Sequence, residues 1–290
     1  RVLFYDKHLS INNAVACASC HKQEFAFADD VAFSRGFENR LTGRNSMPIQ
    51  NMSSNSLLPG PGPGFGTTFL FWDGRERLLQ NMVMQPIFNH VEMGMSNTTE
   101  LTKKVDSKKY YQELFLRAFG EEEITFEKIS QALGGFTSSI VSNGSKFDRS
   151  FSTMNSFVPV SVLNNSEKEG MDLFFGKYNC GSCHQLGTIA GYIADEPGKE
   201  FVNIGLDVVY EDKGVGALTG KSEDNGKFRI PNLRNIALTA PFMHDGSLID
   251  LKEVIEHYNN PFKSLDNYNA GRIQNLFYDN YEQRIYVEKN

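Results

Sequence analysis

The chain has little that would place it quickly. No apolar run approaches the roughly eighteen residues that a membrane-spanning helix needs, so none is expected to cross a bilayer. Positive charge is not in excess: 29 Lys and Arg stand against 35 Asp and Glu, a formal −6, which argues against nucleic acid as a partner. The sequence opens at Arg1 with no basic, apolar, small-residue leader, as expected of a cytosolic chain or of an exported one already processed. Strand signals are weak throughout. What remains is 290 residues, 40% of them apolar, enough to bury real cores in one or two domains.

Cysteine is scarce, and its placement is informative. All four cysteines fall in two copies of one five-residue word, CASCH at 17–21 and CGSCH at 180–184. Four cysteines could make two disulfides, two Cys-x-x-Cys pairs could share one zinc, and a single pair could be a redox dithiol. None of these needs a histidine directly after the second cysteine, and here it follows both times. The word is the attachment pattern of c-type haem, in which two thioether bonds hold the porphyrin and the adjacent histidine reaches the iron. Cys17, Cys20 and His21 are therefore expected to hold one haem c, and Cys180, Cys183 and His184 a second. A four-cysteine zinc site is the alternative. Haem c is attached outside the cytoplasm, so the expected location is the periplasm, with a leader removed.

The two words lie too far apart for one small cytochrome domain. We expect a division into residues 1–155 and 156–290, within a polar stretch from Ser142 to Ser166 that contains Pro159. Ser166 and Glu169, three apart, read as a capping box, with Met171, Leu173 and Phe174 continuing a helix toward Cys180. Phe126, Ile129, Leu133, Phe136 and Ile140 recur at helical spacing and read as core. LPGPGPGFG at 58–66 reads as a long irregular loop. Asp250 with Glu253 marks another helix start, and Asn259, Asn260 and Pro261 its stop. Leu251, Val254, Ile255 and Tyr258 form one face of that helix, expected to be buried, with His257 turned toward solvent.

Further words are GRNS at 43–46, FWDGR at 71–75, VEMG at 91–94, KFDRS at 146–150 and FRIPNLRNIALTAPFMHDGS at 228–247. In that order the chain resembles the bacterial dihaem cytochrome c peroxidases and their relative MauG, and is closer to the MauG-like branch. The resemblance implies an all-α fold, mostly, of two cytochrome c-like domains meeting at an interface with a calcium ion. It implies that hydrogen peroxide reacts at the first haem, on His21. Electrons would arrive through the second, on His184, from a small donor such as a cytochrome c or cupredoxin, or from a protein substrate. A homodimer is one assembly it implies.

Residue by residue, the resemblance puts Trp72, the only tryptophan, between the haems, Glu92 in the distal acid/base position and Pro86 beside it. Asn45, Thr239 and Pro241 match calcium ligands, oxygen donors that suit a hard cation. Departures matter as well. Many of these peroxidases place a second histidine on the first haem, near the position of Phe37. No histidine occurs between Lys22 and Asn89, so that iron is expected to be open, with Met47, Met52, Met82 and Met84 as the remaining candidate ligands. His90 is a candidate for the distal pocket. Tyr258 occupies the sixth-ligand position of the second haem, in preference to His257 or Met243, where the peroxidases carry methionine and MauG tyrosine. Tyr178 stands where MauG has a tryptophan that relays electrons. A dihaem electron carrier without chemistry of its own is the competing expectation.

Overall fold

The computed structural model describes residues 1–52, 69–150, 162–184, 200–207 and 209–259. Its regular structure is mostly short helices. In chain order they are α1 (Val2–Tyr5), α2 (Leu79–Met82), α3 (Gln85–Phe88), α4 (Thr98–Asp106), α5 (Lys109–Phe119), α6 (Phe126–Ser138) and α7 (Lys146–Ser150). After these come α8 (Asn165–Asp172), α9 (Val215–Thr219) and α10 (Leu251–Asn259). Two short strands, β1 (Phe201–Val202) and β2 (Phe228–Arg229), pair antiparallel with Phe201 opposite Arg229. Among the described residues no helix is long and apolar enough to cross a membrane.

The core lies in the first half and is built from helices with clear local causes. Asn97 accepts the Glu100 N–H at 2.9 Å and starts α4; Thr125 accepts the Lys128 N–H at 3.3 Å and starts α6. Gly120, at φ 78°, ends α5 in a left-handed turn. Leu101 and Val105, Tyr111 and Phe115, and Ile129 and Leu133 each lie four apart on one face, and all are buried in one cluster with Leu3 and Phe4. Phe126, Phe136 and Ile140 pack against that cluster, so the stripe read from the sequence is core. Helix α1 touches both α6 and the single 3-10 turn Cys17–Ser19. The core therefore backs the first CxxCH word directly.

The helix before the second word starts earlier than expected. Asn164, not Ser166, is its cap: Asn164 Oδ1 accepts the Glu167 N–H at 2.9 Å and Glu167 returns to the Asn164 N–H at 2.8 Å. Asparagine offers a cap at least as good as serine, and it reaches a glutamate three residues on. Helix α8 then widens into one π turn, Leu173–Lys177, and breaks at Asn179 (φ 51°) before the 3-10 turn Cys180–Ser182. The loop at 58–66 and the division at 155/156 lie outside the described residues.

Ion pairs join the two halves. Arg44 of GRNS makes a two-pronged pair with Asp212, at 2.5 and 2.8 Å, and also meets Asp73 of FWDGR at 2.6 Å. Arg234 of NLRN pairs with Asp148 of KFDRS at 2.9 and 2.5 Å. Both carboxylates are driven upward by burial but end below their ordinary range, because the facing guanidinium outweighs that cost.

Candidate functional site: two CxxCH turns joined through Trp72

The first turn presents its ligands by backbone geometry. His21 N–H donates to the Cys17 carbonyl at 2.9 Å, closing the turn on itself. The His21 Nδ1 lies 3.0 Å from the Phe27 carbonyl, so the ring donates from Nδ1 and leaves Nε2 available to a metal. That carbonyl is aimed by two successive left-handed residues, Ala26 (φ 52°) and Phe27 (φ 61°), a conformation that costs energy in residues with a side chain. Burial lowers the His21 pKa, which keeps the ring neutral, and pushes the Cys17 thiol up to about 12. No disulfide links the cysteines of either word.

Facing this turn across one cavity are Pro86 and Glu92, with Met82, Val83, Met93 and Leu133 among its apolar walls. Glu92 is held by a tight loop. The Asn89 carbonyl accepts the N–H groups of Glu92 (3.1 Å), Met93 (3.1 Å) and Gly94 (2.8 Å). The Asn89 side chain accepts from Val91 N–H at 2.8 Å and donates to Glu92 Oε1 at 3.0 Å. Gly36 backs the loop so closely that a Cβ there would lie 2.1 Å from the Val91 carbonyl. Burial raises the Glu92 pKa, and Arg75 opposes the rise only in part. Glu92 and Pro86 also line a neighbouring cleft of about 520 Å³ with Arg75, Gln85 and Asn89. Glu92 thus stands between that cleft and His21.

Phe37 lies outside the lining of both the cavity and the cleft; its ring packs on Gly94, and the Arg40 guanidinium sits 5.5 Å from the ring centre. His90, expected as a candidate for the pocket, is exposed, and its carbonyl accepts from Arg40 at 3.3 Å. It turns outward because the Asn89 loop uses its own backbone to aim Glu92. Met82 lines the cavity and Met84 the cleft, Met52 packs on the core, and Met47 accepts from Arg229.

Trp72 connects the two turns. Its Nε1 donates to the Asn45 carbonyl at 2.9 Å, and the next residue, Ser46, donates to the Cys20 carbonyl at 3.0 Å. On the other side the Trp72 carbonyl accepts the Arg229 N–H at 2.7 Å. Two residues further on is Pro231, whose carbonyl is the acceptor facing the His184 ring. The FWDGR turn that carries Trp72 needs its glycine: a Cβ on Gly74 would fall 2.2 Å from the Phe201 ring.

At the second word, burial drives the His184 pKa down to about 4. Its Nδ1 is buried without a well-formed hydrogen bond, since the Pro231 carbonyl raises the ring's pKa but does not meet bonding geometry. Tyr258 lies within electrostatic reach of both Cys183 and Cys180, and burial is the larger cause of its raised pKa. The residue as a whole is 42% exposed. These agree if the hydroxyl end lies among protein atoms and the rest of the ring faces open space.

The expected orientation of α10 needs correction. His257 is not on the solvent side: it is half-buried, with Nε2 3.0 Å from the Ile204 carbonyl. Ile255, assigned to the buried face, is 68% exposed, and no α10 residue is buried. The helix meets the 200–207 segment through His257, while Tyr258 of the apolar stripe lies toward Cys183 and Cys180, so the stripe marks the inner face only in part. Asp250 does cap it, accepting the Glu253 N–H at 2.8 Å. Tyr178 is 53% exposed two residues before Cys180, with the Lys177 ammonium 5.2 Å from its ring centre.

Asn45 and Thr239 are both buried, and the turn at 239–246 meets Asn45 through its N–H, which donates to the His244 carbonyl at 2.7 Å. The Asn45 amide nitrogen donates to the Val31 and Ala32 carbonyls at 3.1 and 3.3 Å, which leaves Oδ1 as the oxygen that a cation could use. Pro241 follows a cis peptide in the same turn.

The residues fit two haems and do not fit a shared zinc. Each CxxCH turn carries a half-buried histidine whose pKa is lowered by desolvation, and the first faces a largely apolar cavity with one carboxylate. Among the described residues no three His, Cys, Asp or Glu side chains converge on a metal. Sequence reasoning missed Asn89, Arg75 and Arg229. The first could have been found from its spacing three before Glu92, whereas the others depend on long-range packing.

Comparison with known proteins places the chain in a family. The family model for di-haem cytochrome c peroxidase matches residues 1–156. The cytochrome c551 peroxidase of Nitrosomonas europaea is 32% identical over 88% of this chain and 70% of its own length. The methylamine utilization protein MauG of Methylophilus methylotrophus is 29% identical over 89% and 70%. Among solved structures, a MauG-like protein associated with microbial copper homeostasis superposes with a TM-score of 0.73, at 34% identity over 88% of this chain and 73% of that one. The diheme peroxidase BthA of Burkholderia thailandensis shares the fold, with a TM-score of 0.67 over 90% and 71%. With half of the chain inside the family model and most of it aligned to these relatives, the chain belongs to the di-haem cytochrome c peroxidase and MauG family of peroxide-dependent oxidoreductases.

Proposed function

We propose that the chain is a periplasmic enzyme of two cytochrome c-like units, residues 1–155 and 156–290, which reduces hydrogen peroxide at the haem on His21. Electrons enter through the haem on His184, from a small redox protein or from an oxidisable protein substrate. The observation that carries this reading is the half-buried Glu92 across one cavity from His21, with no second histidine lining that cavity. When bound, haem supplies an iron that coordinates peroxide and passes electrons to it. Overall, hydrogen peroxide takes up two electrons and two protons and leaves as two waters.

The chain's own residues account for the proton side. Glu92, ionised and held by Asn89, takes the proton from the peroxide oxygen nearer the iron and returns it to the oxygen that departs. Burial makes it a better base than a solvated glutamate, because the carboxylate is poorly solvated and gains from protonation. Pro86 and the apolar walls keep bulk water from the cavity, and the cleft beside Arg75 gives peroxide its approach. Trp72 carries electrons between the haems, supported by its contact to Asn45 on one side and to Arg229 on the other. Tyr258, beside Cys180 and Cys183, would help hold the second haem, and Tyr178 is the exposed aromatic at which electrons would arrive. Asn45 Oδ1 with the carbonyls of Thr239 and Pro241 holds calcium at the junction.

The test is a pyridine haemochrome assay on denatured protein, followed by mixing with peroxide and with cyanide. Two covalent haems per chain, peroxide turnover and cyanide binding to one haem are expected. Haem that extracts into acid-acetone would end the reading. Two haems that bind neither ligand and turn nothing over would make the chain an electron carrier.

A further inference from the structure

Arg229 is a cation in an unusual position. The residue is 9% exposed, its backbone is fixed by the β1–β2 pair and by the Trp72 carbonyl, and its side chain points into the junction between the two halves. Among the described residues its guanidinium donates only to the Phe71 carbonyl, at 3.2 Å, and to the Met47 sulfur, at 3.7 Å. Two half-buried arginines at this junction differ: Arg44 meets Asp73 and Asp212, and Arg234 meets Asp148. No described carboxylate pairs with Arg229. Burial alone pulls its pKa down to about 10, so the group remains charged at neutral pH without an anion to offset its desolvation. A fork of five donors satisfied by one carbonyl and one weak sulfur acceptor is poorly matched in a protein interior.

The location suggests the missing partner. Met47 lies next to Ser46, which bonds the Cys20 carbonyl and lies 3.4 Å from His21 Nδ1. Two residues beyond Arg229 is Pro231, which faces His184. The guanidinium is therefore linked through Met47 and Ser46 to the first attachment turn and through the segment to Pro231 to the second, the two places where a porphyrin would bring uncompensated carboxylates into the protein. We propose that Arg229 is the counter-ion of a porphyrin carboxylate at the junction of the two haem sites, and that it sets the reduction potential of the haem it pairs with. The inference rests on the reading of both CxxCH words as haem sites. A fixed cation beside a porphyrin favours the reduced, less positive iron, and a planar fork meets a carboxylate with two parallel bonds.

The experiment measures both midpoint potentials by spectroelectrochemical titration from pH 5 to 8, on wild-type holoprotein, Arg229→Gln and Arg229→Lys. Wild-type haem content is counted first: a wild type without two covalent haems defeats the haem reading itself, separately from this inference. For Arg229→Gln, one midpoint is expected to fall by an amount on the order of a tenfold change in the redox equilibrium, about 59 mV for one electron. It is also expected to gain a pH dependence as the released carboxylate begins to titrate. Arg229→Lys should recover at least half of the shift. A purely structural donor would predict the opposite pattern, because glutamine can still bond the Phe71 carbonyl. Unchanged midpoints in Arg229→Gln, or equal shifts in the Gln and Lys variants, would overturn the proposal. Should Arg229→Gln fail to accumulate with haem, normal loading of Arg229→Lys would support a required cation, and failure of both would assign Arg229 to the fold and overturn it.

Discussion

Glu92→Gln isolates the proton-transfer role with little structural disturbance. The glutamine oxygen can still accept from Asn89 Nδ2, now at 3.0 Å, and the loop's three bonds to the Asn89 carbonyl involve only backbone. What is lost is the basic site. A positioned acid/base group contributes about a hundred- to ten-thousand-fold, or about 2.7–5.4 kcal/mol of barrier. The bimolecular rate of peroxide reaction, followed by stopped-flow absorbance at the Soret band, should fall within that range while haem content stays at two. The pH profile gives a second check. Because burial raises the Glu92 pKa, the wild-type rate should fall with acidification at a pH above the ordinary glutamate range, and the variant should lack that limb. Stability should move the other way. Below the ordinary glutamate value both folded and unfolded states hold the proton; as pH rises through it the unfolded state releases its proton first, and folding stability declines until the raised folded value is passed. Glu92→Gln should therefore melt higher than wild type at pH 7, and the gap should close by about pH 4. An unchanged peroxide rate would refute the assignment and return Glu92 to an ordinary carboxylate.

Asp148→Asn should cost about 1–3 kcal/mol in chemical unfolding, since it removes a two-pronged pair to Arg234 whose side chains are only 17% and 14% exposed. Burial by itself would raise the Asp148 pKa, but Arg234 and Ser145 hold it at about 2, so this stabilisation is complete above the ordinary aspartate value and is lost as pH falls toward 2; the variant should show a shallower acid transition. Tyr258→Phe should shift the low-spin EPR signal and raise the second haem's potential, whereas His257→Ala, which removes only a bond to the Ile204 carbonyl, should change neither. An altered signal in His257→Ala alone would reverse that assignment. Asn45→Ala should weaken calcium binding measured by calorimetry and disturb coupling between the haems more than their attachment; equal affinity in wild type and variant would remove Asn45 from the site.

The two CxxCH turns were legible because each is a short local pattern. CASCH and CGSCH are local words, each folding as one 3-10 turn with its histidine N–H bonded to the first cysteine's carbonyl. The Asp250 cap and the Phe126–Ile140 stripe were legible for the same reason, since they depend on neighbours within one or two turns, whereas the α8 cap fell two residues earlier than expected. The inner face of α10 was legible only in part. Its apolar residues recur at helical spacing, yet its link to the rest of the chain is the His257 contact with Ile204, more than fifty residues away, and periodicity carries no information about such a partner. His90, left open between the pocket and solvent, is exposed. Proximity to Glu92 in sequence suggested a shared pocket, but the Asn89 turn sends adjacent side chains in opposite directions.

The least legible residues are those that exist only in relation to both halves. Arg44 and Arg229 each lie in short words that read as motifs, but their roles come from partners in the other half: Asp212 for Arg44, and Met47 and Phe71 for Arg229. The same holds for Trp72. As a lone tryptophan it could have been simple core, yet its ring nitrogen is tied to Asn45 beside the first turn and its carbonyl to the strand that runs on to His184. Two of its hydrogen-bonding groups are thus spent on opposite sides of the junction. Replacing Trp72 with phenylalanine would keep the backbone tie and lose the one to Asn45. If electrons pass through the indole, that variant should slow transfer between the haems without altering cyanide binding at the first. Equal slowing of both would mean that Trp72 serves to hold the junction together, and electron transfer would have to take another route.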